Sequence, residues 1–241
     1  VARLYEGGDW GRSHAENIRT LAKENGMELV LDEAIPAHQV DLTSQLLKVR
    51  ASRPDALILA LYTPDQLLFT RQFTQQRLDI PYGLHSVGGG TEDPSFYAAV
   101  TPKDVAYYFV QEDWQVDMLA VNKDPLLHDM NDFVKKELGY DMSAYVAQGI
   151  TSVYVLKDAL ERAGSADRDK LRDALAETDI TEGPALYTGY QRIKFDEHGQ
   201  NTFAHGVISQ NLDGERRAIW PKANRGEDVK PVWPVPKWSD R

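Results

Sequence analysis

The chain has 241 residues, 42% of them hydrophobic, which is ample for one large domain or two small ones with a buried core. Its formal net charge of -10 leaves no electrostatic footprint for nucleic acid or an anionic membrane. The absence of cysteine excludes disulfides, thiolate nucleophiles, cysteine-held iron-sulfur clusters and cysteine-ligated zinc, and no apolar run approaches the ~18 residues of a membrane span.

Val1 to Tyr5 (VARLY) reads as a buried strand, EGGDWG as a loop, Ser13 to Asn25 as a helix and Met27 to Ala34 as the next strand. A chain that opens inside an α/β rhythm, with no initiator Met, signal segment or polar arm, reads as the back part of a larger protein. Ala15, Ile18, Leu21 and Ala22 recur at helical spacing and stop at Gly26. Leu42, Leu46 and Val49 repeat the stripe up to Pro54, and Ala56 to Leu61 (ALILAL) has the continuous apolar character of a strand buried on both faces. Thr63 and Pro64 start the next helix, since Thr caps free amides and Pro suits the first helical position. Ile80 to Leu84 reads as a fourth strand, HSVGGGTEDP as a glycine-rich loop and Asp104 to Val110 as a fifth strand. This alternation up to about residue 110 predicts a parallel sheet with helices on both faces.

After residue 115 the pattern turns helical, over about 123–138, 143–163 and 167–176. In the middle helix Val146, Ile150, Val153, Tyr154, Leu156 and Leu160 help to fill an apolar arc of roughly 200°, wider than a surface helix needs. Such a helix is expected to bury two sides, yet the stretch brings no sheet of its own, so residues preceding Val1 are the expected cover. Tyr190 to Phe195, Phe203 to Gln210 and Arg216 to Trp220, separated by DEHGQN and by Asp213 with Gly214, predict two successive hairpins. The tail from Pro221 is proline-rich and predicted to be extended, wrapping back on Trp233 and Trp238 rather than serving as a recognition segment.

Loops at the carboxyl ends of parallel strands are where open α/β sheets bind ligands. The first such loop presents Trp10 between Gly8 and Gly11, where the ring either lies over a ligand or packs on its own helix. Gly88 to Gly90 have neither the P-loop nor the dinucleotide spacing, and Glu92 and Asp93 would repel a phosphate. His14, His38, His85, His128, His198 and His205 include no pair at helical metal-ligand spacing, and no Gly-x-Ser-x-Gly elbow occurs. The adjacent acids Glu112 and Asp113 read as surface charge. No metal, cofactor or catalytic nucleophile is expected.

The stretches VARLYEGGDWGRSHAENIRTLAKENGMELVLDE and DLTSQLLKVRASRPDALILALYTPDQLLFTRQ resemble the leucine/isoleucine/valine-binding proteins of bacterial ABC transporters, which have the type I periplasmic-binding-protein fold. AYVAQGITSVYVLKDALERAGSADRDKLRDAL resembles that family's long helical pair, and FDEHGQ its late hairpin. Order and spacing carry the resemblance over nearly the whole chain to about Trp220; no single element is a sharp motif. It implies two α/β lobes joined by three crossing segments that close on a small ligand. Residues 1–110 would be the main part of lobe two, 118–180 a helical segment of lobe one, 185–222 a return to lobe two as hairpins, and 223–241 an extended tail. The second lobe would then be largely complete and the first only partly present.

The resemblance further implies ligand contacts after the first, third and fourth strands, at Trp10, at Tyr62 with Thr63, and at His85 with Ser86. A rim tyrosine is the plainer reading of Tyr62. Amino-acid-binding members typically carry an acid in the fourth loop for the ligand ammonium; here His85 and Ser86 stand near that place, and Glu92 and Asp93 come later. Without the acid, an aromatic or aliphatic carboxylate or an amide becomes plausible, with His85 either pairing with an anion when protonated or capping the loop. The implied function is that of a periplasmic or extracellular solute-binding protein, not an enzyme. It would deliver a branched-chain or related amino acid, or a small organic acid, to the membrane permease of an ABC importer, without itself inserting into the membrane. An amide- or amino-acid-responsive sensor of the same fold and an α/β enzyme of unknown reaction are the alternatives.

Overall fold

A computed structural model describes residues 1–36, 39–187 and 189–241. In chain order its elements are β1 (Ala2–Glu6), α1 (Asp9–Glu24), β2 (Leu31–Ile35), α2 (Thr43–Ser52), β3 (Leu57–Ala60), α3 (Thr63–Gln76), β4 (Leu84–Val87), α4 (Pro94–Ala98) and β5 (Phe109–Glu112). There follow α5 (Pro125–Leu138), α6 (Ala144–Ala163), α7 (Arg168–Ala176), β6 (Asp179–Ile180), β7 (Ile193–Lys194), β8 (Val207–Leu212) and β9 (Glu215–Trp220). The chain forms two compact units: Val1–Glu112 with Ile208–Ile219 and Asp228–Arg241, and Asp113–Val207 with Trp220–Glu227.

The first unit is built on a sheet of order β2-β1-β3-β4-β5-β8-β9. Strands β1 to β5 pair in parallel, with Leu4 opposite Glu33 on one side and Leu59 on the other. Alternate residues of each strand serve opposite faces. Leu4 and Leu59 pack with Leu46 of α2 and Phe69 of α3, whereas Tyr5 and Ala60 pack with Ala15 of α1. The sheet is thus covered on both faces, as the strand-helix alternation predicts. The two-residue turn Asp213–Gly214, with positive φ at both positions, joins β8 to β9 as a hairpin.

Four strand starts move by several residues: β2 begins at Leu31 rather than Met27 and β8 at Val207 rather than Phe203, and the other two bear on the site. The run expected at Ile80 to Leu84 is a turn around Pro81 and Tyr82, closed by Gly83 N–H donating to the Ile80 carbonyl at 2.9 Å. Strand β4 therefore begins only at Leu84, and His85 and Ser86 lie inside it. Likewise residues 102–107 form turns, with Tyr107 at φ 64, and β5 begins at Phe109. Ile80 and Val105 are buried without being in a strand, which explains how an apolar run there imitates one.

In the second unit Asp124 and Ser143 cap α5 and α6 by accepting from Leu126 N (2.9 Å) and Val146 N (3.4 Å). Trp114 is buried and donates its indole N–H to the Met142 carbonyl at 2.9 Å. Residues 185–207 fall in this unit, as do Trp220–Glu227, whereas Ile208–Ile219 belong to the first: Ile193 packs against Val155 and Ala185, and β7 pairs antiparallel with β6. Of the two hairpins expected, β8–β9 forms with β8 beginning at Val207; the turn at DEHGQN closes through an antiparallel bridge between Phe195 and Asn201, with Thr202 N–H donating to the Lys194 carbonyl at 2.9 Å, while Ile193 and Lys194 pair with Ile180 and Asp179. Helix α6 buries Ala144, Ala147, Thr151, Val155 and Ala159, a single face. Among the described residues its second apolar side stays open, with Val153 65% exposed and Phe133 of α5 64% exposed. Leu126, Met130, Phe133, Ile150 and Val153 line the resulting groove of about 720 Å³.

The tail returns to the first unit. Val235 N–H donates to the Pro81 carbonyl at 2.9 Å, the Trp238 indole to the Leu78 carbonyl at 2.7 Å, and Trp233 meets Tyr82 edge-on at 5.6 Å.

Candidate ligand-binding rim

Parallel strands β1, β3 and β4 end side by side, so the segments that follow them share one edge of the sheet. Trp10 is the second residue of α1, and Tyr62 is the extended residue that precedes α3. Their rings stack at 4.9 Å with 24° between planes. His14, one turn further along α1, meets Trp10 edge-on at 4.9 Å, and burial pulls its imidazole pKa below the ordinary value, favouring the neutral ring. Thr63 Oγ1 donates to the Gly89 carbonyl at 3.4 Å, tying this pair to the loop after β4.

That loop runs close to its neighbours because it is glycine. A Cβ at Gly90 would lie 2.6 Å from the Leu61 carbonyl oxygen and 2.7 Å from Gln66 Cβ; one at Gly89, where φ is +57, would press on Trp10 at 3.3 Å. The outcome is a half-open aromatic platform, with Tyr62 49% exposed, at the carboxyl edge of a parallel sheet. It offers flat apolar area and adjacent polar groups, which suits a small ligand with an apolar body.

Trp10, Tyr62 and Thr63 come together, whereas His85 faces other residues. Its ring stacks on Phe109 at 4.5 Å with 6° between planes, and Nε2 donates to the Tyr82 carbonyl at 2.8 Å. Burial lowers its pKa against the raising effect of that hydrogen bond, which disfavours the protonated, anion-pairing form. Ser86 is buried, and its hydroxyl accepts from Thr91 Oγ1 at 3.0 Å. Both placements follow from the later start of β4.

Sequence reasoning misses a buried charge system beside this edge. Glu112, read as surface charge, is 1% exposed at the end of β5; Arg216 Nη1 lies 2.9 Å from its Oε2, and Ser209 donates to Oε1 at 3.2 Å. The Arg216 guanidinium lies over the Tyr97 ring at 4.5 Å. Burial lowers the Arg216 pKa, but Glu112, Tyr97 and Glu92 more than offset that, and the Tyr97 phenol is pushed up to about 12 by burial. Glu92 is buried too, and a Cβ at Gly88 would stand 3.5 Å from Trp10 and 4.0 Å from Glu92 Oε1. The acid beyond the glycines therefore approaches the same loop as the aromatic pair.

Among the described residues no group of three or more His, Asp or Glu side chains is arranged to hold a metal ion, and no helix is long and apolar enough to cross a membrane. His38 lies outside the described residues.

Comparison with known proteins matches this architecture. A Leu/Ile/Val-binding protein homologue of Brucella abortus is 28% identical over 235 residues, covering 95% of this chain and 57% of the relative. A second homologue, from Brucella melitensis, is 24% identical over 92% of this chain and 54% of its own length. The chain thus spans just over half the length of these curated relatives. Among solved structures, a leucine-binding protein of Thermotoga maritima superposes with a TM-score of 0.77 at 21% identity, over 91% of this chain and 59% of the other. A solute-binding protein of an ABC transporter from R. palustris, in complex with benzoate, gives 0.73 at 16% identity over 95% and 61%. At such identities these likenesses establish the fold alone. A family model described as periplasmic binding protein matches residues 1–213, and the chain belongs to that family.

Proposed function

We propose that this chain forms part of a periplasmic solute-binding protein that passes a small carboxylic acid, either a branched-chain amino acid or an aromatic acid, to the permease of an ABC importer. The observation that carries the reading is the half-exposed Trp10–Tyr62 stack at the carboxyl edge of the parallel sheet in a member of this family. The ring pair takes the apolar body of the ligand, and Thr63 and the Gly88–Gly90 backbone supply polar contacts. Two proteins of similar fold were solved with ligands of these kinds: benzoate in the R. palustris protein, and isoleucine in a Streptococcus pneumoniae protein of TM-score 0.69. Binding is non-covalent and needs no cofactor.

The groove along α5 and α6 belongs, in this reading, to lobe one, and is covered in the whole protein by part of the length that the relatives have beyond the match. Titration calorimetry with leucine, isoleucine, valine, benzoate and a short aliphatic amide tests the ligand class, using the chain joined to that remaining portion. Binding of one class of acid that Trp10→Ala weakens supports the reading; binding of no acid, of the amide alone, or binding indifferent to Trp10, overturns it.

A further inference from the structure

We propose that Glu6 is the positioning residue of the aromatic platform, acting as a built-in counter-anion at the N-terminus of α1. Glu6 is the last residue of β1 and is 7% exposed. Its Oε2 accepts from Gly8 N at 2.6 Å and its Oε1 from Gly11 N at 2.6 Å. The first amides of a helix have no partner within it, and the helix dipole favours negative charge there. Gly8, the residue preceding α1, has no side chain to cap them, so the carboxylate two residues upstream does so.

The surrounding geometry is built around that carboxylate. A Cβ at Gly8 would sit 2.8 Å from Glu6 Oε2, and one at Gly11 would sit 2.1 Å from the Glu6 carbonyl oxygen and 3.0 Å from Oε1. Trp10 lies between the two held amides, so its backbone is clamped on both sides and its ring is delivered to Tyr62 and Gly89. A second consequence concerns selectivity. A helix N-terminus is a ready anion site, but here the protein's own carboxylate fills it. The carboxylate of a ligand is refused at α1, and the platform is left to the ligand's apolar body. The selectivity part rests on the function proposed above; the positioning of Trp10 does not.

The test is chemical rescue of Glu6→Ala by formate, which replaces the excised carboxylate. The Trp10 contribution to near-ultraviolet circular dichroism is isolated by subtracting the spectrum of Trp10→Phe, and affinities for benzoate and isoleucine are measured beside it. Glu6→Ala is expected to lose the Trp10 band and to weaken binding on the order of tenfold. Formate restores both, while leaving the wild-type protein unchanged. Glu6→Gln is expected to fall between the two, because its carbonyl accepts one amide and its NH2 cannot accept the other. An intact Trp10 band in Glu6→Ala, or a loss that formate does not restore in a folded protein, overturns the proposal. Should Glu6→Ala not fold, a wild-type Trp10 band in Glu6→Gln overturns it equally, and a reduced one supports it. If the wild-type protein binds neither probe, the ligand reading fails while the spectra still decide the role of Glu6.

Discussion

In the first unit the apolar faces of β1, β3, α2 and α3 meet one another, and Leu4, Leu59 and Phe69 are fully buried. In the second, α6 buries Ala147, Val155 and Ala159 on one side and leaves Val153 and Leu156 exposed on the other. Both regions are written with the same apolar residues at regular spacing. The difference shows that a sequence pattern states how much surface an element has to bury, whereas burial itself needs a partner surface of matching shape.

Four measurements break or sharpen that contrast. The largest effect is expected from Arg216→Ala, which removes the cation from the buried Glu112 carboxylate; denaturant unfolding of the first unit is expected to show a loss of about 4 kcal/mol. Truncating core against groove comes next. Leu59→Ala is expected to cost about 3 kcal/mol, and Val153→Ala no more than about 0.5 kcal/mol. Equal costs would mean that α6 is as well packed as β3, and the contrast would be lost.

Trp10→Ala is a smaller change of a different kind. It removes the part-buried half of the stack, which also packs on Tyr5, Ala15 and Ala60, so calorimetry is expected to show ligand affinity reduced on the order of tenfold, about 1.4 kcal/mol, accompanied by a lowered melting temperature.

Acid titration should separate the units with the smallest effect. His14 and His85 are held below the ordinary 6.5, in both cases chiefly by burial. Their contribution to the first unit is complete above pH 6.5 and declines as pH falls from there through the folded-state values. In the second unit Asp141, hydrogen-bonded by Asn131 and Lys135, and Asp179, hydrogen-bonded by Arg192, are held below 3.8, so what they contribute is lost only below that pH. Residue-resolved hydrogen exchange against pH is expected to show protection weakening first around His14 and His85. Simultaneous weakening in both units would refute this ordering.

The parallel sheet was legible because ALILAL and the helical stripes around it are local signals, each complete within about ten residues. The start of β4 was not: Ile80 and Leu84 flank a turn, and their burial is decided by distant neighbours. His85 and Ser86 were displaced from the loop for that reason alone. Trp10, Tyr62 and Thr63 could be found as residues following strands, but the stack that joins Trp10 to Tyr62 depends on the adjacency of β1 and β3, which only the fold supplies. Glu112 reads as surface charge in the sequence because its partner Arg216 lies 104 residues away. Glu6 carried a usable sign, an acid two residues ahead of a capless helix start in EGGDWG.

The sheet order also has a consequence for biosynthesis. Strand β5 takes β8 as its outer neighbour, with Tyr107 N–H donating to the Asn211 carbonyl at 2.9 Å and Ser209 reaching Glu112 across 97 residues. A ribosome must therefore translate all of α5, α6 and α7 before that neighbour exists. Until then β5 is a bare edge on a nascent chain, able to pair with a foreign strand, and the closing contact bears the entropy of a long loop. Slowing translation after Glu112 would prolong that exposure, so the interval between β5 and β8 is where a chaperone that shields strand edges has most to contribute.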